Sequence, residues 1–238
     1  MPTRARSRKA LLELEKILAL PPCRLVNALP GDAYTLWAAE RVVPDNEIVT
    51  EVLAGMGLDM ERRFTGVVNL DETTIGPDHT EQSVFIQQLL RSEQDGWNRF
   101  PLVSQQETEL EATPEIEALN GCTLGQVVKV PSARMLVAEL LLPRPLARGE
   151  VHYTEPRTVY GEGGEPCTNL GRLISNPTDL VVMEVHFQGE APQRLYRRHI
   201  NADAVEVAVD QELPLAQGRA SLVLAPPRLG GHLVEWEW

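Results

Sequence analysis

The chain is poor in cysteine: Cys23, Cys122 and Cys167 are odd in number, far apart and without a C-x-x-C pair. Neither a disulfide framework nor a zinc site is indicated by such a set, and the three read as reduced cytosolic thiols. Long apolar runs are missing too. The longest, such as Leu140 to Leu142, are strand-sized, far below the ~18 consecutive apolar residues of a membrane-spanning helix, so no bilayer span is expected. The apolar residues that follow Arg4, Arg6, Arg8 and Lys9 are broken by Glu13, Glu15 and Lys16, which leaves no signal-peptide core and points to a cytoplasmic location.

Chemical motifs are equally scarce. No serine lies in a G-x-S-x-G elbow, and no glycine-rich segment has the G-x-x-x-x-G-K-[ST] pattern that cradles phosphates. Gly161, Gly163 and Gly164 imitate a dinucleotide fingerprint, but no helix pattern follows and Glu162 and Glu165 would repel a phosphate. The five histidines, His79, His152, His186, His199 and His232, lack the i, i+4 spacing of helical zinc ligands and read as surface or strand-edge imidazoles. The pairs Glu107/Glu109 and Glu115/Glu117 match the solvated face of a β-rich surface better than a general acid and base. Nothing near Cys167 lowers its pKa toward a nucleophile. A non-enzymatic protein with no catalytic residue, cofactor or metal is the expectation.

What the chain does have is ordinary globular composition: 238 residues with 43% apolar and 24% charged side chains, enough for one domain and a smaller unit. Its net charge of −12 is unevenly placed, because residues 1–25 hold six basic and two acidic side chains. An acidic body repels nucleic acid, so any phosphate contact falls to Arg4, Arg6, Arg8 and Lys9, and four charges give salt-sensitive, non-specific attraction.

Helical spacing dominates the first 60 residues. Leu11, Leu14 and Leu18 share one face of a helix over 8–20, with Ser7 as N-cap and Pro21-Pro22 as its end. Pro22 then opens a second short helix carrying Leu25, Val26 and Leu29 until Pro30-Gly31. Tyr34, Leu36 and Trp37 fall in a short turn, and a third helix starts after Asp45, with Ile48, Val49, Val52 and Leu53 on one face and Gly55 and Gly57 at its end.

After Met60 the pattern changes to short alternating or β-branched runs separated by turn residues. Strands are expected at 62–70, 81–91, 98–106, 124–130, 134–142, 150–160, 179–187, 193–199, 203–209, 219–225 and 232–238, although a helix also accommodates Val84, Phe85, Gln88 and Leu89 in 81–91, where the turn-like sequence on either side favours the strand. Gly76-Pro77-Asp78, Asp95-Gly96, Pro131-Ser132 and Arg148-Gly149 mark turns. The stretch 161–178, rich in Gly, Pro, Asn and Ser, reads as a long loop. Val234, Trp236 and Trp238 share one face of the last strand, which makes it integral to its sheet. The fold class is therefore α+β: a small helical unit over 1–60, then an antiparallel β-sandwich body, immunoglobulin-like, over 61–238.

The segment ALLELEKILALPPCRLVNALPG resembles the closing two helices of an Xre-type helix-turn-helix domain. The segments DGWNRFPLVSQQE, EIEALNGCTLGQVVKV, MLVAELLLPRPLARGEVHY, VVMEVHFQGEAPQRLYRRH and HLVEWEW resemble, in order, the β-rich region of actinobacterial Xre-family transcriptional-regulator-like proteins. The resemblance covers most of residues 8–238, and its motifs are packing and turn motifs that carry over no site residue. The helix that would enter the major groove has no counterpart here. What the resemblance implies is a regulatory or interaction protein whose β body binds a partner or effector. Two alternatives stay open: a hydrolase-like enzyme with an active site gathered from distant loops, and a DNA-binding regulator acting only as a dimer or with a partner. A protein partner or a homodimer fits either regulatory version.

Overall fold

The computed structural model describes residues 46–58, 64–105, 114–161, 166–174, 177–200 and 206–238. The helices expected over 8–20 and 22–30 and the turn at 33–42 lie outside the described residues. One α-helix, α1 (Asn46–Gly55), is present among the described residues and is the third expected helix. It closes as a Schellman motif: Leu58 N–H donates to Leu53 O at 2.8 Å and Gly57 N–H to Ala54 O at 3.0 Å. Gly57 supplies the left-handed residue at φ +65° that this ending requires. The apolar face of α1 is buried on the β body: Val49, Leu53, Met56 and Leu58 pack on Ala133, Met135 and Val137. Burying a side chain of that size contributes about 1.5–3 kcal/mol, which is why so short a helix holds. No described helix is long and apolar enough to cross a membrane.

Thirteen strands follow among the described residues: β1 (Phe64–Ile75), β2 (Glu81–Ser92), β3 (Trp97–Gln105), β4 (Glu115–Asn120), β5 (Thr123–Val130), β6 (Met135–Leu146), β7 (Val151–Val159), β8 (Asn169–Ile174), β9 (Thr178–Phe187), β10 (Arg194–Ile200), β11 (Glu206–Glu212), β12 (Arg219–Leu224) and β13 (Gly230–Glu237). Each expected strand has its counterpart, and all four turn signals fall between strands. β4 and β8 were not expected. β8 lies within the stretch that reads as a loop, because a strand with only Leu170 and Ile174 buried gives little alternation to see.

The strands form three sheets, ordered β12-β9-β1-β2-β7-β4, β11-β10-β13-β8 and β3-β6-β5. Pairing is antiparallel except between β1 and β9, which run parallel with Val68 beside Leu180 and Ile75 beside Phe187, a departure from the all-antiparallel expectation. The long connection between those two strands makes parallel pairing sterically open. Three chain segments leave the six-stranded sheet for the three-stranded one, so that the order β2-β7-β4 becomes β3-β6-β5. The corner is stitched by Gly149 N–H to Ser92 O at 2.7 Å and Gly96 N–H to Leu146 O at 2.8 Å.

Both smaller sheets pack on one face of the six-stranded sheet, here its inner face. Val181, Met183, Val185, Phe187, Leu222 and Leu224 meet Leu195, Val234 and Trp236 of the four-stranded sheet. At the other end, Leu90 meets Trp97, Phe100, Leu140 and Leu146 of the three-stranded sheet. The outer face of the β2–β7–β4 region is thereby left to carry the side chains discussed next.

Candidate functional site

On the outer face of β2 and β7, Leu89 stands opposite Tyr153 and Phe85 opposite Arg157, and β4 places Glu117 beside Arg157. Gln87 Nε2 donates to the Tyr153 hydroxyl at 3.0 Å and to Glu155 Oε1 at 3.2 Å. The Tyr153 hydroxyl in turn donates to Glu155. Partial burial, reinforced by the bond to Glu155, pushes the Tyr153 phenol up to about 12, while the Tyr153 and Gln87 hydrogen bonds hold Glu155 below the usual carboxylate range. Arg157 closes a fork on Glu117 Oε2, with Nε at 2.8 Å and Nη2 at 2.6 Å. Apolar surface lies in the same region: Leu119, Val151 and Tyr153 are 50%, 39% and 37% exposed.

The backbone beneath this face is held by the β4–β5 corner. Gly121 sits at φ +67°, and a Cβ there would stand 1.9 Å from the Tyr153 carbonyl oxygen, so only glycine fits. His152 Nε2 completes the corner at 2.6 Å from Gly121 O.

A second polar set is buried on the inner face of the six-stranded sheet and on the four-stranded sheet, linked through Asp71 and Arg172. Asn69, Gln88 and Thr154 form a row across β1, β2 and β7, with Asp71 next along β1. Burial pushes the Asp71 carboxyl up, and Arg172 of β8, 3.1 Å from Asp71 Oδ2, opposes that shift. On the four-stranded sheet, His199 and His232 are buried and stacked with ring centroids 4.5 Å apart. His232 Nε2 lies 2.7 Å from Arg228 O and His199 Nε2 3.2 Å from Leu229 O. Burial depresses His232 to about 4, and nearby His199, Arg197 and Arg228 add to the effect. Asn69 Oδ1, Thr154 Oγ1, Arg197 Nε and His232 Nδ1 are buried without a hydrogen-bond partner among the described residues. The Arg172–Asp71 pair ties the two sheets together.

An open groove of about 570 Å³ lies between Gln193–Leu195 and Glu212–Leu215. Its charged groups, Arg194 and Glu212, offer no nucleophile and base in sequence. At the far end of the sheets, the indoles of Trp236 and Trp238 both donate to Cys167 O at 2.9 Å, and His79 stacks on Trp238 with centroids 3.6 Å apart. The Cys167 thiol faces Asn169 O at 2.9 Å. Among the described residues, no group of three His, Cys, Asp or Glu side chains is placed to hold a metal ion.

The candidate nucleic-acid contacts Arg4, Arg6, Arg8 and Lys9 lie outside the described residues. Glu115 is exposed, and Glu117 is engaged by Arg157 rather than free in solvent. The reading of every histidine as a surface or strand-edge group is corrected at two positions, since His199 and His232 are core residues. The alternation held a signal for one of them: His232 shares the parity of Val234 and Trp236. Tyr153 and Glu155 escaped notice because nothing in a single strand tells which neighbours complete their network.

No family model matches the chain, and no curated protein matches it. Among solved structures, an M1 zinc metallopeptidase from Deinococcus radiodurans is 13% identical at a TM-score of 0.41, covering 74% of this chain and 43% of that one. A candidate protease from Parabacteroides distasonis is 10% identical at a TM-score of 0.47, covering 74% and 40%. The chain thus spans about two fifths of the length of these structures, and likeness of this degree assigns it no activity.

Proposed function

We propose that the chain is a non-enzymatic regulatory or interaction protein of the cytoplasm whose β body binds a protein partner through the outer face of β7 and β4. The observation supporting this reading is the exposed Tyr153, Val151 and Leu119 beside hydrogen-bonded Gln87 and Glu155. An aromatic and aliphatic centre with a preformed polar rim is the composition of a protein contact, and a tyrosine already held in place loses little freedom on binding. The resemblance to Xre-family regulators supports a transcriptional-regulator-like role. In that setting Arg4, Arg6, Arg8 and Lys9 supply a weak phosphate contact that becomes effective in a dimer or with a partner. The immunoglobulin-like comparison extends to one feature, a layered β core that leaves its outer strand faces for recognition.

The test is affinity capture from native lysate with the full chain and with a Tyr153→Ala/Leu119→Glu variant whose circular dichroism and urea midpoint match the parent. A species retained by the parent and lost by the variant supports the face. Equal retention by both disposes of it. Fluorescence anisotropy with random and operator-like DNA at two salt concentrations, with the four basic residues intact or replaced by alanine, tests the phosphate contact separately.

A further inference from the structure

We propose that β12 is a self-association edge, at which two copies of the chain pair their β12 strands antiparallel about a two-fold axis at Val223 and join their six-stranded sheets. Sheet edges are hazards that chains blunt with proline, charge, inward-facing ions or bulges. Five of the six edge strands among the described residues carry such devices. β3 has Pro101 and a register shift at Trp97/Arg99. β5 has Lys129 and a shift at Leu124/Val127, and β4 has Glu115, Glu117 and a shift at Ala118/Asn120. β11 has Glu206, Asp210 and Glu212 in its sequence and a shift against β10, and β8 turns Arg172 inward onto Asp71. β12 pairs with β9 without a shift and has no proline or carboxylate, and its one charge is at its first residue.

The register follows from the backbone. Phe187 N–H donates to Gly218 O at 2.8 Å, so alternation turns the groups of Ala220, Leu222 and Leu224 toward β9 and those of Arg219, Ser221 and Val223 toward the free edge. Arg219 is already closed on Ala216, at 2.9 and 3.0 Å, which leaves Ser221 and Val223 as the open positions. Same-face pairing about a two-fold axis requires the axis to fall on a residue, and Val223 is the one that keeps Ala216 out of the new lane. Val223, 42% exposed, then meets its own copy, Ser221 meets Ala225, and Leu222 lies beside Leu224 to extend the apolar core.

Charge favours a second copy at this place. Residues 220–227, ASLVLAPP, are uncharged and lie between Arg219 and Arg228 in a chain of net charge −12, so two copies approach here with less repulsion than their acidic surfaces would meet elsewhere. The inference stands apart from the partner face on β7 and β4, at the opposite edge of the same sheet, and either can fail alone.

Sedimentation equilibrium of the full chain over a wide concentration range tests it, together with Val223→Lys and Val223→Cys. The expected results are a dimer for the parent, a monomer of unchanged circular dichroism for V223K, and, on mild oxidation of V223C, an intermolecular disulfide mapped by mass spectrometry to position 223. A hydrogen-bonded antiparallel pair brings its two Cα atoms to about 5.5 Å, within disulfide reach. A parent that stays monomeric throughout, a dimer untouched by V223K, or cross-linking through Cys23, Cys122 or Cys167 alone overturns the proposal.

Discussion

Arg172 on β8 reaches across the interior to Asp71 on β1, with Nη1 3.1 Å from Oδ2 and 3.2 Å from Oδ1, and this pair joins the four-stranded sheet to the six-stranded one. Asp71 is buried, and without its cation the carboxyl would be left in a site that already pushes its pKa upward. A buried pair adds little net stability over an apolar substitute, yet removing one partner is costly. Arg172→Leu is therefore expected to lower stability by about 3–5 kcal/mol, and Asp71→Asn/Arg172→Leu by clearly less. Urea unfolding of the two variants checks the difference, and equal losses would show that the ion pair is not the reason.

The stacked imidazoles give the same sheet junction a dependence on pH. His232 titrates near 4 in the fold against an ordinary value of 6.5, so the unfolded chain binds more protons across that interval. Stability then rises with pH from about 4 to about 6.5 on this residue's account and is lost as pH falls through the same window. Arg197 and Arg228 beside the ring and His199 stacked on it disfavour a further positive charge, while Arg172, its cross-strand neighbour on β8, is engaged by Asp71 across the gap. The slope of the urea midpoint between those pH values should flatten in His232→Gln. An unchanged slope would assign the acid sensitivity elsewhere.

Strain at the β4–β5 corner yields a third expectation. Gly121→Ala adds a Cβ against the Tyr153 carbonyl oxygen, a backbone atom that cannot swing aside, at a φ that L-residues seldom adopt. Gly149→Ala, also at positive φ but with nothing within 4 Å of the added carbon, is the matched control. The control bears the conformational cost of about 1 kcal/mol alone, and G121A should exceed it by at least as much again. Thermal unfolding of both variants decides, and equal midpoints would mean that the corner relaxes freely.

The elements were more legible than their partners. Alternation places Val234 and Trp236 on one side of β13, because a half-buried strand must repeat every two residues, whereas short apolar runs such as Leu140–Leu142 and Leu180–Met183 mark β6 and β9, whose first halves are buried continuously. β4 escaped because Ile116 is its only buried side chain, and β8 because Asn169, Gly171 and the turn-rich residues around it outweigh Leu170 and Ile174. Period two assigns a face and not a neighbour, so the parallel β1/β9 pair and the change from β2-β7-β4 to β3-β6-β5 were beyond a linear reading. The Tyr153 network was hidden for the same reason, since Gln87 and Glu155 meet through pairing between β2 and β7.

The final strand carries the last expectation. Val234 and Trp236 are buried in the largest apolar cluster, and Phe187 packs edge-on against both Trp236 and Trp238, at 5.2 and 5.7 Å between centroids. Both indole N–H groups converge on one carbonyl, that of Cys167, and a buried indole deprived of its acceptor would leave a polar group unsatisfied. Trp236→Ala removes a fully packed side chain and opens a cavity beside Phe187, for which a loss of about 3–5 kcal/mol is expected. Trp238→Ala, at a partly buried position, should cost less and mainly free His79 from its stack. Deleting residues 233–238 strips β10 and β8 of the strand they share and should leave the body unable to fold. Guanidinium unfolding followed by circular dichroism ranks the three, and a deletion variant with native spectrum and cooperative unfolding would refute the integral role of β13.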